Sequence, residues 1–524
     1  MNKDIQTVLN YHQTTKHSQQ RYARSLGYMD WATQPNPFRE YEGTQKIQLP
    51  LALNNSTPPY ALLDEDLPSA PLVLESISQL FQFSMGIAAY KESGESSWAV
   101  RCNASSGNLH PTESYLLLPP VLETQDTKSC LYHYAPKNHQ LELLASFKTS
   151  FWDSLPENSF IIGLSSIVWR EAWKYGERAF RYTQLDAGHA WQSFLVSAKM
   201  LGWSITRLDS ISHTDISKLM GLNQESRFCE SEVADILFVV SPAEINPSLS
   251  LDSLVQELPL IYEGVANKLS PSMYKWEIIP LIEEATSVNQ IAQKSAPFSK
   301  VLRTPTQESK TVILGRRSIH VMEKDNSRIT QEQFHTILQS VLGSQDGKVN
   351  AVHLAIFINR VEEYEAGLYI LVRNPHEFYQ LKDQMNPAFR WEEAAFKNLY
   401  LLKSSNLEML SKSISCSQDI ASDGAFSLGM LCNYTQQLQK YGAHRYKELY
   451  WECGAIGQQL YLEATSMKLS GTGIGCFLDD MMHEVLGLKS NRFQILYHFT
   501  VGRGYVDSRI LTKPAYKKIT RRIK

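Results

Sequence analysis

The sequence predicts an α+β fold made twice: two copies of one mixed helix-and-sheet domain, packed within the chain as a pseudo-twofold pair. Three observations predict it. The chain has 524 residues, more than one hydrophobic core accommodates. Residues 160–192 and 426–458 align without a gap at a spacing of 266, pairing Phe160 with Phe426, Gly163 with Gly429, Lys174-Tyr175-Gly176 with Lys440-Tyr441-Gly442 and Gly188 with Gly454. The register runs on to Gly221-Leu222 against Gly487-Leu488, as a diverged duplication would. Finally, short β-rich runs bounded by turn formers alternate with long helical patterns, which gives layers of sheet and helix.

Along the chain, residues 1–69 read as an N-terminal arm, because DWATQPNPFREYEG and LNNSTPPY concentrate turn formers. The first copy spans 70–245. SYLLLPPV, LYHYA and ADILFVVS are its strands. A helix over Trp191–Leu201 places Phe194, Leu195, Ala198 and Leu201 on one apolar face. Residues 246–310, rich in Ser, Pro, Lys and Gln, form a connector with a helix over 278–293. The second copy, 311–524, repeats the pattern with HLAIFIN, LYILVR and QILYHFTVG, and with Leu460, Tyr461 and Ala464 on a helix over Gln458–Met467. Its LYIL at 368–371 answers LYHY at 131–134. The closing TKPAYKKITRRIK is basic and reads as a solvated tail.

Composition excludes some functions. Lys and Arg number 51 against 54 Asp and Glu, a net charge of -3, which argues against a nucleic-acid or membrane-surface binder. No apolar run approaches the roughly 18–20 residues of a membrane span. The start is polar and lacks a signal-peptide core. Seven cysteines are scattered without a CxxC pair, so neither a disulfide framework nor a metal site is expected and a cytoplasmic location fits.

The informative residues are those that one copy has and the other lacks. Before its first long strand, the first copy carries Arg101 and then Ser105-Ser106-Gly107-Asn108. This is either an ordinary Ser-Gly-Asn turn or a loop that brings N–H and hydroxyl donors to a flat polar ligand. The second copy has LGSQDGKVNAV there. It opens instead with Gly315-Arg316-Arg317-Ser318, either a solvated basic pair or a phosphate-monoester site of paired charge-assisted donors. It also holds Gly471-Thr472-Gly473-Ile474-Gly475, whose glycines let backbone approach a ligand plane, and ends in Arg503 and Arg509. GxGxxG is absent, so this is not a dinucleotide fingerprint. The losses are complementary, and one ligand site drawing on both copies explains them.

RCNASSGNLHPTESYLL and WKYGERAFRYTQLDAGHAWQS resemble the nitroreductase superfamily, specifically its SagB/ThcOx-type dehydrogenase branch in a tandem form. The branch's segments read R-x-x-P-S-S-G-N-x-H-P-T-E-x-Y and K-Y-G-x-R-x-x-R-Y-x-x-x-D-x-G-H. Ala104 departs from the usual Pro, and His320 from a second basic residue. The resemblance implies two nitroreductase-like domains as an intrachain pseudo-dimer with one FMN at their interface. It implies that Arg316, Arg317, Ser318, Gly473, Gly475 and Arg503 of the second copy, with Arg101, Ser105, Ser106 and Asn108 of the first, bind it. It implies that Lys174 and Tyr175 perform acid–base work. Lys440-Tyr441 repeats that pair, and sequence alone leaves open which pair faces the flavin. The expected activity is an FMN-dependent oxidoreductase, a dehydrogenase acting on a small molecule or an azoline-containing peptide. The alternatives are an NAD(P)H-dependent nitro or quinone reductase and a non-catalytic flavin-binding protein.

Overall fold

The computed structural model describes residues 2–208, 211–287, 298, 300–301, 303, 307–343 and 350–516. The connector beyond 287, most of the LGSQDGKVNAV segment and the tail from 517 lie largely outside these residues. The chain divides into two compact units, neither continuous in sequence. One comprises Ser25–Ala292, Pro305–Leu314 and Ser508–Lys524; the other comprises Met1–Arg24, Gln293–Thr304 and Gly315–Asp507. The N-terminal helix Lys3–Thr14 thus belongs to the later unit and the strand Leu511–Pro514 to the earlier one.

The earlier unit is built on a seven-stranded sheet in the order Lys46–Gln48, Gln140–Phe147, Ser129–Ala135, Thr112–Leu118, Phe160–Ser166, Val233–Ser241, Ser204–Arg207, all antiparallel. Thr112–Leu118 and Phe160–Ser166 are buried at every residue. That accounts for the apolar runs 115–118 and 160–164 within them, since a central strand covered on both faces has no solvent side to alternate toward. Tyr115, Leu117, Ile161, Met220, Leu237 and Val239 make one core cluster. Full burial of each aliphatic side chain contributes about 1.5–3 kcal/mol. Helix Val168–Tyr175 ends at Gly176, whose φ of 55° only glycine adopts without strain. Helix Ala179–Lys199 follows. The arm joins this unit: Tyr41–Glu42 pairs with Val265–Ala266, and Lys46–Gln48 edges the sheet. The connector contributes helix Ile278–Thr286.

The later unit repeats this plan. Its sheet runs Glu392–Glu393, Leu399–Ser404, Gly367–Leu371, Val352–Ile358, Phe426–Cys432, Gln494–Gly502, Ser470–Ile474. LYHY and LYIL occupy the same third place in the two sheets. Phe160–Ser166 and Phe426–Cys432 sit at the spacing of 266, as do helices Val168–Tyr175 and Tyr434–Tyr441. The long helices Ala179–Lys199 and Arg445–Ser466 correspond as well. The duplication is real at the level of elements.

Two expectations change. The closing segment is not a solvated tail at its start: Leu511–Pro514 pairs with residues 89–92, and Ala515 and Tyr516 are buried, because the edge of the hairpin it joins needs a partner strand. The sequence reading gives each long helix a single apolar face. In the fold, Arg181, Thr183, Gln184, Asp186, His189 and Gln192 are buried alongside Phe194 and Ala198. These helices are covered nearly all round, and their polar groups are placed for a purpose other than facing water.

Candidate functional site

In the earlier unit the Ser105–Asn108 loop is held by the long helix beneath it. The Asp186 carboxylate accepts from the Ser106 backbone N–H at 3.0 Å and from the Ser106 hydroxyl at 2.9 Å. Ser105 Oγ accepts from His110 N–H at 2.8 Å, and Asn108 Nδ2 donates to the Ala99 carbonyl at 2.9 Å. Gly107, Asn108 and His110 all have positive φ, so the chain turns tightly enough to leave backbone exposed. A Cβ on Gly107 would stand 2.8 Å from Tyr175 Oη and 3.3 Å from Lys174 Nζ. The structure therefore brings the Ser-Ser-Gly-Asn loop and the Lys174-Tyr175 pair together. Tyr175 in turn stacks on Tyr182, ring centroids 4.3 Å apart.

Two acids lie behind this pair. Burial pushes Asp186 up to about 7, although donors from Ser105 and Ser106 pull the other way. Burial and the neighbouring Asp186 push Glu171 well above the carboxylate range. Neither Glu171 oxygen has a hydrogen-bond partner among the described residues. A buried carboxyl group of raised pKa that faces the charge of Lys174 is suited to handling protons. Arg101 stands apart from it. It is buried, turned to the Pro37 carbonyl and the Phe38 ring of the arm, and desolvation draws it down to about 10.

In the later unit three chain segments run side by side. Ser318 bridges Gly471 in parallel, Met322 bridges Gly504, and Ser470 pairs with Gly502. Tyr461, on the long helix, joins them. Its hydroxyl meets Ser318 Oγ at 2.7 Å and accepts from the Gly473 N–H at 2.8 Å. The Arg316 guanidinium lies 5.1 Å over its ring. Arg317 donates to the Arg316 carbonyl at 2.6 Å. Arg503, exposed at the end of its strand, donates from Nε to the Asn326 carbonyl at 3.2 Å. Gly473 is glycine for space: a Cβ there would collide with Tyr497 Oη at 1.8 Å. Arg316, Ser318 and Gly473 are thus gathered on one tyrosine. Gly475 lies beyond the strand, next to Cys476.

Sequence reasoning missed Glu171, Asp186 and Tyr461 as site residues. Asp186 sits inside the quoted repeat segment, and Glu171 precedes Lys174 by three residues on one helix face, a visible signal. Tyr461 looked like an apolar-face residue, and nothing short of the fold sets its hydroxyl against Ser318.

A family model described as the nitroreductase family matches residues 75–229 and 313–503. A protein of Methanocaldococcus jannaschii described as a nitroreductase is 22% identical over 188 residues, 34% of this chain and 83% of its own length. A crystal structure from Anabaena variabilis, also described as a nitroreductase, superposes with a TM-score of 0.69 at 22% identity, covering 95% of this chain and 99% of that one. The E. coli microcin synthetase McbBCD complex, with truncated pro-MccB17 bound, is similar at a TM-score of 0.28 and 18% identity, covering 47% of this chain and 94% of that one.

Proposed function

The chain belongs to the nitroreductase family, matched in both of its halves, and on that premise we propose that it is an FMN-dependent oxidoreductase holding one flavin per chain. The donor set supports the cofactor. Arg316, Arg317 and Arg503 supply cationic forks and Ser318 a hydroxyl, the groups a phosphate monoester requires. The Ser105–Asn108 loop supplies a tight turn of positive φ at the exposed Gly107, where backbone can meet a flat ring system. FMN accepts or gives a hydride at its ring. The chain's own part is to orient that ring and to move protons.

The observation that carries the reading furthest is the cluster at Gly107. Lys174 and Tyr175 lie against the loop, with Glu171 and Asp186 buried behind them. The protons that a nitro or quinone substrate takes up on its oxygens can be delivered by solvent. Drawing a proton from a ring as it is oxidised calls for such a set. We therefore favour a SagB/ThcOx-type dehydrogenase, acting on a small molecule or azoline-containing peptide, over a nitro or quinone reductase. Lys174 takes the proton and Tyr175 assists it, while Asp186 holds the loop.

The test is reconstitution of the purified chain with FMN and measurement of the flavin-to-protein ratio, followed by anaerobic mixing with NADH, NADPH or an azoline peptide. A ratio near one and bleaching by the azoline peptide support the proposal. Bleaching by NAD(P)H alone moves the reading to the reductase. A ratio near two, or no retained flavin, rejects it.

A further inference from the structure

The later unit holds a second pair of reactive groups. Cys416 and Cys476 are sixty residues apart in sequence, yet their sulfurs lie 2.6 Å apart. Both are partly exposed, whereas Cys102, Cys130, Cys432 and Cys453 are buried. The backbone on either side is stitched together independently of the sulfurs. Leu478 N–H donates to the Ile414 carbonyl at 2.7 Å, and Gln418 Nε2 donates to the Cys476 carbonyl at 3.1 Å. Cys416 and Ser417 both have positive φ, 53° and 60°, so the turn after helix Glu408–Ile414 is bent into an unusual shape that aims Cys416 at Cys476. Tyr22 completes the group. Its hydroxyl faces the pair: burial, followed by Cys416 and then Cys476, pushes its pKa up to about 12. Among the described residues no set of three or more His, Cys, Asp and Glu forms a metal cluster here.

We infer that Cys416 and Cys476 are a redox-active thiol pair, a site at which a low-molecular-weight disulfide is reduced as the two sulfurs join. One thiolate attacks a sulfur of the small disulfide, whose S–S bond breaks and releases one thiol. The second cysteine attacks the resulting mixed disulfide, forms the Cys416–Cys476 bond and releases the second thiol. The chain loses two electrons and two protons, and the small disulfide gains them. Tyr22, staying protonated, donates to the sulfur that carries the transient negative charge. The bond ties the exit of strand Ser470–Ile474, which carries Gly473, to the turn after helix Glu408–Ile414.

The experiment uses the full chain and glutathione. Reduced protein is equilibrated anaerobically over a series of oxidised-to-reduced glutathione ratios, quenched with acid, alkylated and mapped by mass. The expected result is that Cys416 and Cys476 lose alkylation together, appear as one cross-linked peptide, and recover on reduction. Exposed Cys229 serves as control and carries glutathione instead. Adducts at Cys416 or Cys476 should be at least about 100-fold rarer than at Cys229, because oriented groups reach effective concentrations far above that of free glutathione. In Cys416→Ser, Cys476 should then accumulate the adduct. Should both sulfurs of the unmodified chain stay alkylatable where Cys229 is fully adducted, or end as separate adducts, the inference is overturned. The mapping of the native sequence decides this even if a variant fails to fold.

Discussion

Arg316→Ala probes the phosphate assignment most directly. The guanidinium is 4% exposed and lies 5.1 Å over the Tyr461 ring, so it is held in place before any ligand arrives. Loss of a hydrogen bond to a charged group costs about 1.5–3 kcal/mol, and each 1.4 kcal/mol is about tenfold in affinity. FMN should therefore bind about 10–150-fold more weakly. Riboflavin lacks the phosphate, and the Arg316–Tyr461 contact is present with or without flavin, so its affinity should change by a factor below about five. Arg316→Lys keeps the charge without the fork and should fall between. The assay is quenching of flavin fluorescence on titration with apoprotein at fixed ionic strength, run for both flavins. Tyr461→Phe is the contrasting variant. It removes the hydroxyl shared by Ser318 and Gly473, which shapes the loop, and should weaken both flavins alike. If Arg316→Ala weakens FMN and riboflavin equally, Arg316 only packs on Tyr461 and the phosphate assignment fails.

Further outcomes follow from the same geometry. Lys174→Ala should retain FMN but lose about 10²–10⁴ in turnover of a substrate that must give up a proton, whereas Lys440→Ala should not; steady-state rates of the two variants decide, and the reverse ranking would transfer the role to the second copy. Gly107→Ala forces a φ of 59° on an L residue and a Cβ onto Tyr175 Oη. It should cost at least about 1–2 kcal/mol, visible as a lowered thermal midpoint with reduced turnover, and an unchanged midpoint contradicts the loop conformation. The buried His133–Glu113 pair should contribute most to stability between about pH 4.5 and 6.5. Burial works against His133, but Glu113 and Glu142 raise it from 6.5 to about 9, so its contribution is complete below 6.5 and is lost as pH rises through 9. Glu113, opposed by burial but lowered by Arg170 from 4.5 to about 2, contributes fully above 4.5 and loses this as pH falls toward 2. Calorimetry across pH checks both limbs, and His133→Gln should flatten the alkaline one.

The duplicated plan was legible because it rests on runs and spacing. LYHYA, HLAIFIN and QILYHFTVG announce strands by composition, and the 266 register carries whole helices with it. The site was legible where a motif is local: Ser105 to Asn108 and Lys174-Tyr175 each form a short string, though their meeting at Gly107 is a property of the fold. Tyr461 was illegible as a site residue because its partners Ser318 and Gly473 come from distant segments. The all-round burial of the long helices was hidden for a different reason. Arg181, Asp186 and His189 look like a solvent face to any periodicity argument, and only the surrounding layers reveal that they are enclosed. Arg101 carries the opposite lesson: it matches the motif, yet its guanidinium is turned to Pro37 and Phe38.

The repeated Lys-Tyr-Gly triplet shows how one string can have two causes. Its glycine is explained by backbone alone, since Gly176 and Gly442 both end a helix at positive φ. Its lysine and tyrosine must be judged by what surrounds them. At the spacing of 266, Glu171 corresponds to Gln437 and Asp186 to Glu452. Gln437 is neutral and accepts from Arg445 at 2.9 Å. Glu452 still holds the chain ahead of its strand, accepting from Ala351 and Val352 N–H, but Arg373 neutralises it at 2.8 Å. Asp186 is acted on by hydroxyl and amide donors; among the described residues no salt bridge reaches it, and Glu171 has no hydrogen-bond partner. The second copy thus keeps the tether and quenches the acids, while the first leaves two buried carboxyl groups beside a half-buried Lys174. An unquenched buried acid destabilises the fold. That it persists in one copy, where the other shows how readily it is neutralised, is our reason for proposing Lys174 and Tyr175, rather than the exposed Lys440, as the proton-handling pair.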